Sequence, residues 1–381
     1  MDDVKFYLEQ GKDIEAQDIG GLSLLQFAVI GCQMDIVDYL IAQGCNVNSR
    51  ASDGATALHF AANGNSNGQE MVQKLITAGA FVEAKDNDNC TPFFYTATHG
   101  SNDLGVAQIL LEHGADINDQ RKSDGYTALH RAAQVNDMKK VAWLIAQGAD
   151  VNRPMNDGRT PLSIALQKDR SDVVHYLLEH GADINCQSEI GRAPLHYAAR
   201  VGIKEMVEML INKGADITVQ DSVGRTAVGL AKQFGYTEIV ELLSDRAEQL
   251  DPKKEIMTIF DYTALGDKEK IKSLIAAGQD VNTKSKNGAT ALHYASSYGH
   301  IEIAELLIQN GANVNSLDNT NSGWTPLQLA SSSGIQEIVE LLLANGADSS
   351  VKNNSGKTAL DLARQRNHAE IVELLQKHGA K

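Results

Sequence analysis

The chain is predicted to fold as an all-α solenoid of stacked helix–turn–helix units with hairpin-like fingers. Three observations predict it. A four-residue pattern, Thr-Ala-Leu-His or Ala-Pro-Leu-His, opens at Thr56, Thr127, Ala193 and Thr290, and weaker copies start at Ser23, Thr91, Thr160, Thr226, Thr325 and Thr358. Neighbouring starts lie 33, 35, 36, 33, 33, 33, 64, 35 and 33 residues apart, so one copy has diverged within the interval of nearly two periods. Each copy closes about 21 residues later in Gly-Ala-Asp-Val-Asn or a close variant, as in Gly148 to Asn152, Gly181 to Asn185 and Gly311 to Asn315.

The elements of one unit follow in order from local chemistry. Thr or Ser at the start caps the free N–H groups of a first helix. Pro92, Pro161, Pro194 and Pro326 take the first helical position, where no N–H is needed. Leu129, Ala132 and Ala133 share one face, and small Ala lets two helices approach closely. A short loop, often with Gly (Gly202, Gly235, Gly299, Gly334), precedes a second helix with apolar residues at helical spacing, as at Ile303, Leu306 and Leu307. Gly114, Gly148, Gly181, Gly214, Gly311 and Gly346 end that helix, because a left-handed position suits glycine. Asp, Asn and Gly then form a tight hairpin-like turn, as in Asn156-Asp157-Gly158. One unit cannot bury its apolar face alone, so stability comes largely from interfaces between stacked units.

This period and this Thr-Pro-Leu-His opening resemble the ankyrin repeat. The resemblance covers almost the whole chain. It implies a protein–protein interaction scaffold or adaptor, with a partner protein meeting the concave surface made by finger tips and first helices.

Composition narrows the function classes. A net charge of −15 disfavours sequence-independent nucleic-acid binding, which needs clustered cations, and disfavours an acidic membrane surface. No apolar run reaches 18–20 residues and no basic-then-apolar leader opens the chain. Cys32, Cys45, Cys90 and Cys186 show no paired spacing, which fits reduced thiols. The expectation is an intracellular protein, cytoplasmic by default with the nucleus left open, and a monomer by default.

The chain begins mid-unit. Val4, Leu8 and Gly11 match a second helix, and Asp13-Ile14-Glu15 stands where Asp-Val-Asn falls elsewhere, which reads equally as a cap or as a truncation. That feature keeps an alternative open: a targeting or substrate-recognition region of a larger enzyme or effector whose catalytic domain lies outside this chain. The segments Asn63–Gln69 and His99–Gly105 carry extra small polar residues and are expected to be exposed loops. Residues 244–258 break the rhythm, since no Gly-Ala-Asp-Val-Asn follows Leu243. The units before and after resemble a C-terminal and an N-terminal cap, and the next helix is expected over Glu255 to Ala264. The expected organisation is an array over 1–250, a half-unit plus about seven full units, and another over 251–381, a divergent unit plus three, stacked on the first. Two separate arrays remain the other reading.

No catalytic constellation stands out: there is no H-E-x-x-H, G-x-S-x-G, Walker-type loop or C-x-x-C. The prediction is therefore no enzyme activity, cofactor or metal. His59, His130, His196 and His293 share one repeat slot and are expected to bond backbone at the helix start rather than to form a metal row. Asn48, Asn118, Asn152, Asn185, Asn282 and Asn315 are expected to bond turn backbone. The resemblance implies that they occupy a position which an asparaginyl hydroxylase modifies in animals.

Binding residues are sought at the finger tips and the adjoining first helices. Arg159, Arg192 and Arg225 precede consecutive starts, and Lys168 and Arg200 lie on neighbouring first helices, forming a basic stripe suited to a partner's carboxylates. Tyr126, Phe234, Tyr298 and Trp324 are placed on or near the same face, and aromatics and Arg are enriched among interface hot spots. Trp143 shares a second-helix slot with Tyr39, Tyr176 and Met209 and is expected to pack.

Overall fold

The computed structural model describes residues 2–64, 67–97, 104–250, 257–319 and 323–380. Parts of the expected loops at 63–69 and 99–105, and of the irregular segment 244–258, lie outside these residues. Among the described residues there are 23 helices and no strands. The chain falls into two compact units, 1–183 and 184–381. That boundary is a different feature from the change in repeat chemistry at residue 250.

In the first unit the helices are α1 (Asp2–Glu9), α2 (Leu24–Ile30), α3 (Met34–Ala42), α4 (Ala57–Ala62), α5 (Gly68–Thr77), α6 (Pro92–Tyr95), α7 (Leu104–Glu112), α8 (Ala128–Val135), α9 (Met138–Ala146), α10 (Pro161–Gln167) and α11 (Ser171–Glu179). In the second they are α12 (Pro194–Val201), α13 (Lys204–Asn212), α14 (Ala227–Gln233), α15 (Thr237–Leu250), α16 (Ile259–Leu265), α17 (Lys268–Ala276), α18 (Ala291–Tyr298), α19 (Ile301–Gln309), α20 (Pro326–Ser333), α21 (Gln336–Ala344), α22 (Ala359–Gln365) and α23 (Ala369–Lys377).

Within a unit, first helices pack on their own second helices and on neighbouring first helices, as α8 does on α9 and α10, and α18 on α19 and α20. Leu129, Ala132 and Ala133 are fully buried at the first of these joints. Thr127 Oγ1 accepts the His130 N–H, the expected cap. The turn glycines after the second helices are left-handed, with φ of 92° at Gly148 and 94° at Gly214.

The irregular segment has a local cause. Ala247 stands four residues after Leu243, where Gly214 stands four after Leu210. With no glycine to stop it, α15 runs 14 residues against nine in α13, and Ala247 is buried. The helix thus consumes residues that elsewhere make the Gly turn. Ala247→Gly is expected to cost about 1 kcal/mol, the usual penalty for glycine inside a helix, read as a lowered thermal midpoint of the second unit.

The next helix starts later than expected. It is α16, capped by Thr258, whose Oγ1 accepts the Asp261 N–H at 3.2 Å. Asp261 caps two helices at once. Its carboxylate accepts the Thr258 N–H at 2.8 Å and the Thr226 N–H at 3.1 Å, and both threonine hydroxyls donate to it. Gly229 makes room for this, since a Cβ there would collide with the Asp261 carboxylate. Helix α14 therefore packs on α16 across residues 251–256.

The fingers behave differently from the helices here. Within each unit several fingers bond to their predecessor one period back, as Asn87 N–H does to Asp53 O at 2.8 Å and Ser222 N–H to Ile190 O at 2.7 Å. The Asn287 N–H instead reaches Ser222 O at 3.0 Å, about two periods back. Lys286 Nζ also meets Gln187 Oε1 at 3.0 Å.

Candidate functional site

The surface made by fingers and first helices is fixed by two sets of bonds. Fingers join through the backbone pairs just described. First helices join to the following finger through the recurrent histidines. Thr56 N–H donates to His59 Nδ1 at 3.0 Å, so Nε2 carries the proton and donates to Cys90 O at 3.0 Å. His130 bridges in the same way to Arg159 O at 3.4 Å, His196 to Arg225 O at 3.1 Å, and His293 to Trp324 O at 3.1 Å. The expected backbone role thus reaches one unit further than the helix start. Burial holds all four imidazoles below their usual range, His130 at about 4. Among the described residues no group of His, Cys, Asp or Glu is arranged to hold a metal ion.

The asparagines bridge too. Asn48 Nδ2 donates to Gly79 O at 2.9 Å while its Oδ1 accepts the Phe81 N–H at 2.8 Å. Asn152 and Asn282 donate to Gly181 O and Gly311 O in the same way. The four cysteines are free, and burial pushes the thiols of Cys45 and Cys90 up to about 11 and 12, so both stay protonated at neutral pH.

In the first unit Tyr126, Arg159 and Lys168 line one open groove of about 510 Å³, together with Gln134, Asp157 and Gln167. Arg159 is not a loose cation. Its Nε donates to Asp157 Oδ2 at 2.7 Å and its Nη1 to Gln167 Oε1 at 2.8 Å. Tyr126 is buried, its ring lies 5.3 Å from the Arg121 guanidinium, and its hydroxyl accepts from Gln134 Nε2 at 3.0 Å. Lys168, just past the end of α10, is exposed.

In the second unit Arg192 and Arg225 converge on one carboxylate. Arg225 Nη2 lies 3.0 Å and Arg192 Nε 3.6 Å from Asp221 Oδ2, and the Asp221 side chain is only 2% exposed. The group carries one net positive charge. Arg200 is exposed at the end of α12. Phe234 and Tyr298 stand eight residues after their helix caps, Thr226 and Thr290, and are 49% and 43% exposed. Trp324 is half-buried, and its backbone N–H donates to Asp318 Oδ1 at 2.9 Å. The arginines and lysine of the expected stripe are divided between the two units.

Sequence reasoning passed over three features. Thr258-Ile259-Phe260-Asp261 has the form of Thr358-Ala359-Leu360-Asp361, and that likeness would have placed the divergent start. Lys140 is buried and donates to Thr96 O at 2.9 Å, an acceptor at the end of the four-residue α6. The position four after each cap is almost always apolar, as at Phe27, Phe60 and Tyr95.

Comparison with known proteins agrees with this geometry. The profile described as "Ankyrin repeats (3 copies)" matches residues 1–86, 65–155, 97–188, 136–221, 185–254 and 256–353, and "Ankyrin repeat" matches 355–381. Alpha-latrocrustotoxin-Lt1a of Latrodectus tredecimguttatus is 37% identical over 75 residues, 19% of this chain and 5% of that protein. The putative ankyrin repeat protein YahD of Escherichia coli (strain K12) is 40% identical over 55 residues, 14% of this chain and 27% of that one. The chain therefore spans about a quarter or less of the length of these relatives. The crystal structure of the human ASB11 ankyrin repeat domain matches with a TM-score of 0.50 at 27% identity, covering 59% of this chain and 98% of that one.

Proposed function

We propose that this chain, which belongs to the ankyrin-repeat family, is a scaffold or adaptor that binds a partner protein on the concave face made by its fingers and first helices. Ankyrin repeats are generally protein–protein interaction modules. The observation that carries the reading is the double bridging of that face. Histidines tie first helices to following fingers, and backbone pairs tie finger to finger. A surface ordered before binding loses less entropy on binding.

The partner is one that presents carboxylates. Lys168 and Arg200 supply exposed cations, Arg192 and Arg225 a net positive group around Asp221, and Phe234 and Tyr298 exposed aromatic rings. Tyr126 and Arg159 act more through the shape they give the fingers, since their side-chain polar groups are already engaged, and half-buried Trp324 adds apolar surface.

Affinity capture from a lysate of the source organism tests this. Arg192→Glu and Arg225→Glu are poor probes, because each would set a second carboxylate against buried Asp221. Lys168→Glu and Arg200→Glu are better, with Lys139→Glu on α9 as an exposed control from a second helix. The expected result is a protein retained by the wild type and by Lys139→Glu and depleted at least fivefold by Lys168→Glu or Arg200→Glu. Equal retention by every variant would remove the basic positions from the site.

A further inference from the structure

We propose that the stretch of the finger and first-helix face lying on the first unit takes a cationic amphipathic helix of a partner protein. The proposal rests on the reading of the chain as a binding scaffold but uses none of the residues assigned above. Phe27, Phe60 and Tyr95 stand four residues after the caps Ser23, Thr56 and Thr91. Their helices α2, α4 and α6 pack in succession, so the three rings repeat at the spacing of packed helices. Phe27 is 48% and Ile30, one turn along α2, 45% exposed, and Phe60 is half-exposed. Large apolar side chains left open in contiguous positions mark an interaction surface.

The edge of this row is acidic. The Tyr95 hydroxyl donates to Asp86 Oδ2 at 2.8 Å, which places that carboxylate beside the ring row. The charge of Asp53 also acts on Tyr95 and on His59, where the Arg50 guanidinium, held by Lys85 O, opposes the carboxylates Asp86 and Asp53. Asp18 lies on the finger that leads into α2, where its Oδ1 accepts the Leu22 N–H at 2.8 Å. None of Asp18, Asp53 and Asp86 has a cation within ion-pair distance among the described residues. Each finger carboxylate instead accepts backbone N–H groups, as Asp53 does from Ala55. Three carboxylates held in no ion pair, against the one guanidinium of Arg50, leave the edge of the apolar row net acidic, which selects apolar residues flanked by Lys or Arg.

The spacing selects the shape. Packed helices lie about 8–10 Å apart, and two turns of an α-helix rise about 10.5 Å. A helix laid across α2, α4 and α6 therefore presents one apolar side chain to each ring at seven-residue intervals. Its cationic flank then faces the fingers. This is the helix-in-groove mode of recognition.

The test uses the full chain and a fluorescein-labelled 18-residue peptide of Leu and Lys with Leu at helical spacing. A scrambled peptide of the same composition is the control for net charge. The expected result is saturable binding of the amphipathic peptide, at least tenfold tighter than the scrambled one. Phe27→Ser/Ile30→Ser should weaken it at least tenfold, with the circular dichroism and thermal midpoint unchanged because both side chains are half in solvent. Asp18→Asn/Asp53→Asn/Asp86→Asn keeps an acceptor oxygen for the backbone bonds and should flatten the dependence on salt. Arg200→Glu should leave binding unchanged, which separates failure here from failure of the carboxylate-binding face. Equal binding of the two peptides, or undiminished binding by the Phe27/Ile30 variant, would overturn the proposal.

Discussion

Acidification from pH 7 to pH 5 is expected to destabilise the first unit by about 2 kcal/mol through His130 alone. The imidazole titrates near 4 in the folded chain because burial disfavours its charged form, against about 6.5 when unfolded. A folded value below the unfolded one means that the stability is present above pH 6.5 and is lost as pH falls toward 4. The bond to Arg159 O and the charges of Asp124 and Asp157 favour the charged ring, and Arg159 opposes it, yet burial outweighs them. His59 in the same unit shifts the same way for the same first cause.

The second unit holds an opposing group. Burial raises the Asp261 carboxyl to about 6, above its unfolded range near 3.9. Its contribution is present at low pH and is lost as pH rises through 6. Between pH 7 and 5 it returns about 1 kcal/mol and offsets part of what His196 and His293 lose. Hydrogen exchange followed by mass spectrometry at pH-corrected times should show amides of α4 and α8 losing protection before those of α14 and α16. His130→Gln keeps a helix-start acceptor and removes the titration, so it should blunt the acid sensitivity of α8. An acid sensitivity identical to the wild type would show that His130 is not its source.

Leu129→Asp is expected to cost about 4 kcal/mol or more. Leu129 is 1% exposed between α8 and its neighbours. Truncating a buried Leu costs about 2–5 kcal/mol by itself, and an unpaired carboxylate adds a desolvation cost that the site cannot offset. In a stack of units the loss spreads to the adjoining interfaces. Chemical denaturation should show an early transition that takes α8, α9 and α10 with it. Leu329→Asp makes the comparison, since Leu329 stands half-exposed on α20 and tolerates charge at its edge. An unfolding curve for Leu129→Asp that overlays the wild type would refute the repeat register.

What the sequence revealed and what it hid divide along a physical line. Caps, first-position prolines and turn glycines act within a few residues, so Thr127, Pro161 and Gly214 announced themselves by spacing. Features whose partner lies in another unit did not. Asp261 reads as an ordinary helix residue until Gly229, about one period earlier, is seen to leave it room. The contact of Asn287 with Ser222 depends on a helix that fails to end, because alanine replaces glycine at 247. The arginine stripe was legible as a row of cations. Its partial neutralisation by Asp157 and Asp221, two and four residues before Arg159 and Arg225, is local chemistry that a search for surface charge overlooks. Phe27, Phe60 and Tyr95 were hidden because apolar residues on a first helix read as core.

The central claim is that partners are bound by fingers and first helices rather than by second helices. Hydrogen exchange on the chain alone and with a captured partner tests it directly. Slowed exchange in finger segments such as 155–159 and 188–192 and in the ends of α10, α12, α14 and α18, with α9, α11, α13 and α19 unchanged, is the predicted result. Protection confined to the second helices would contradict it.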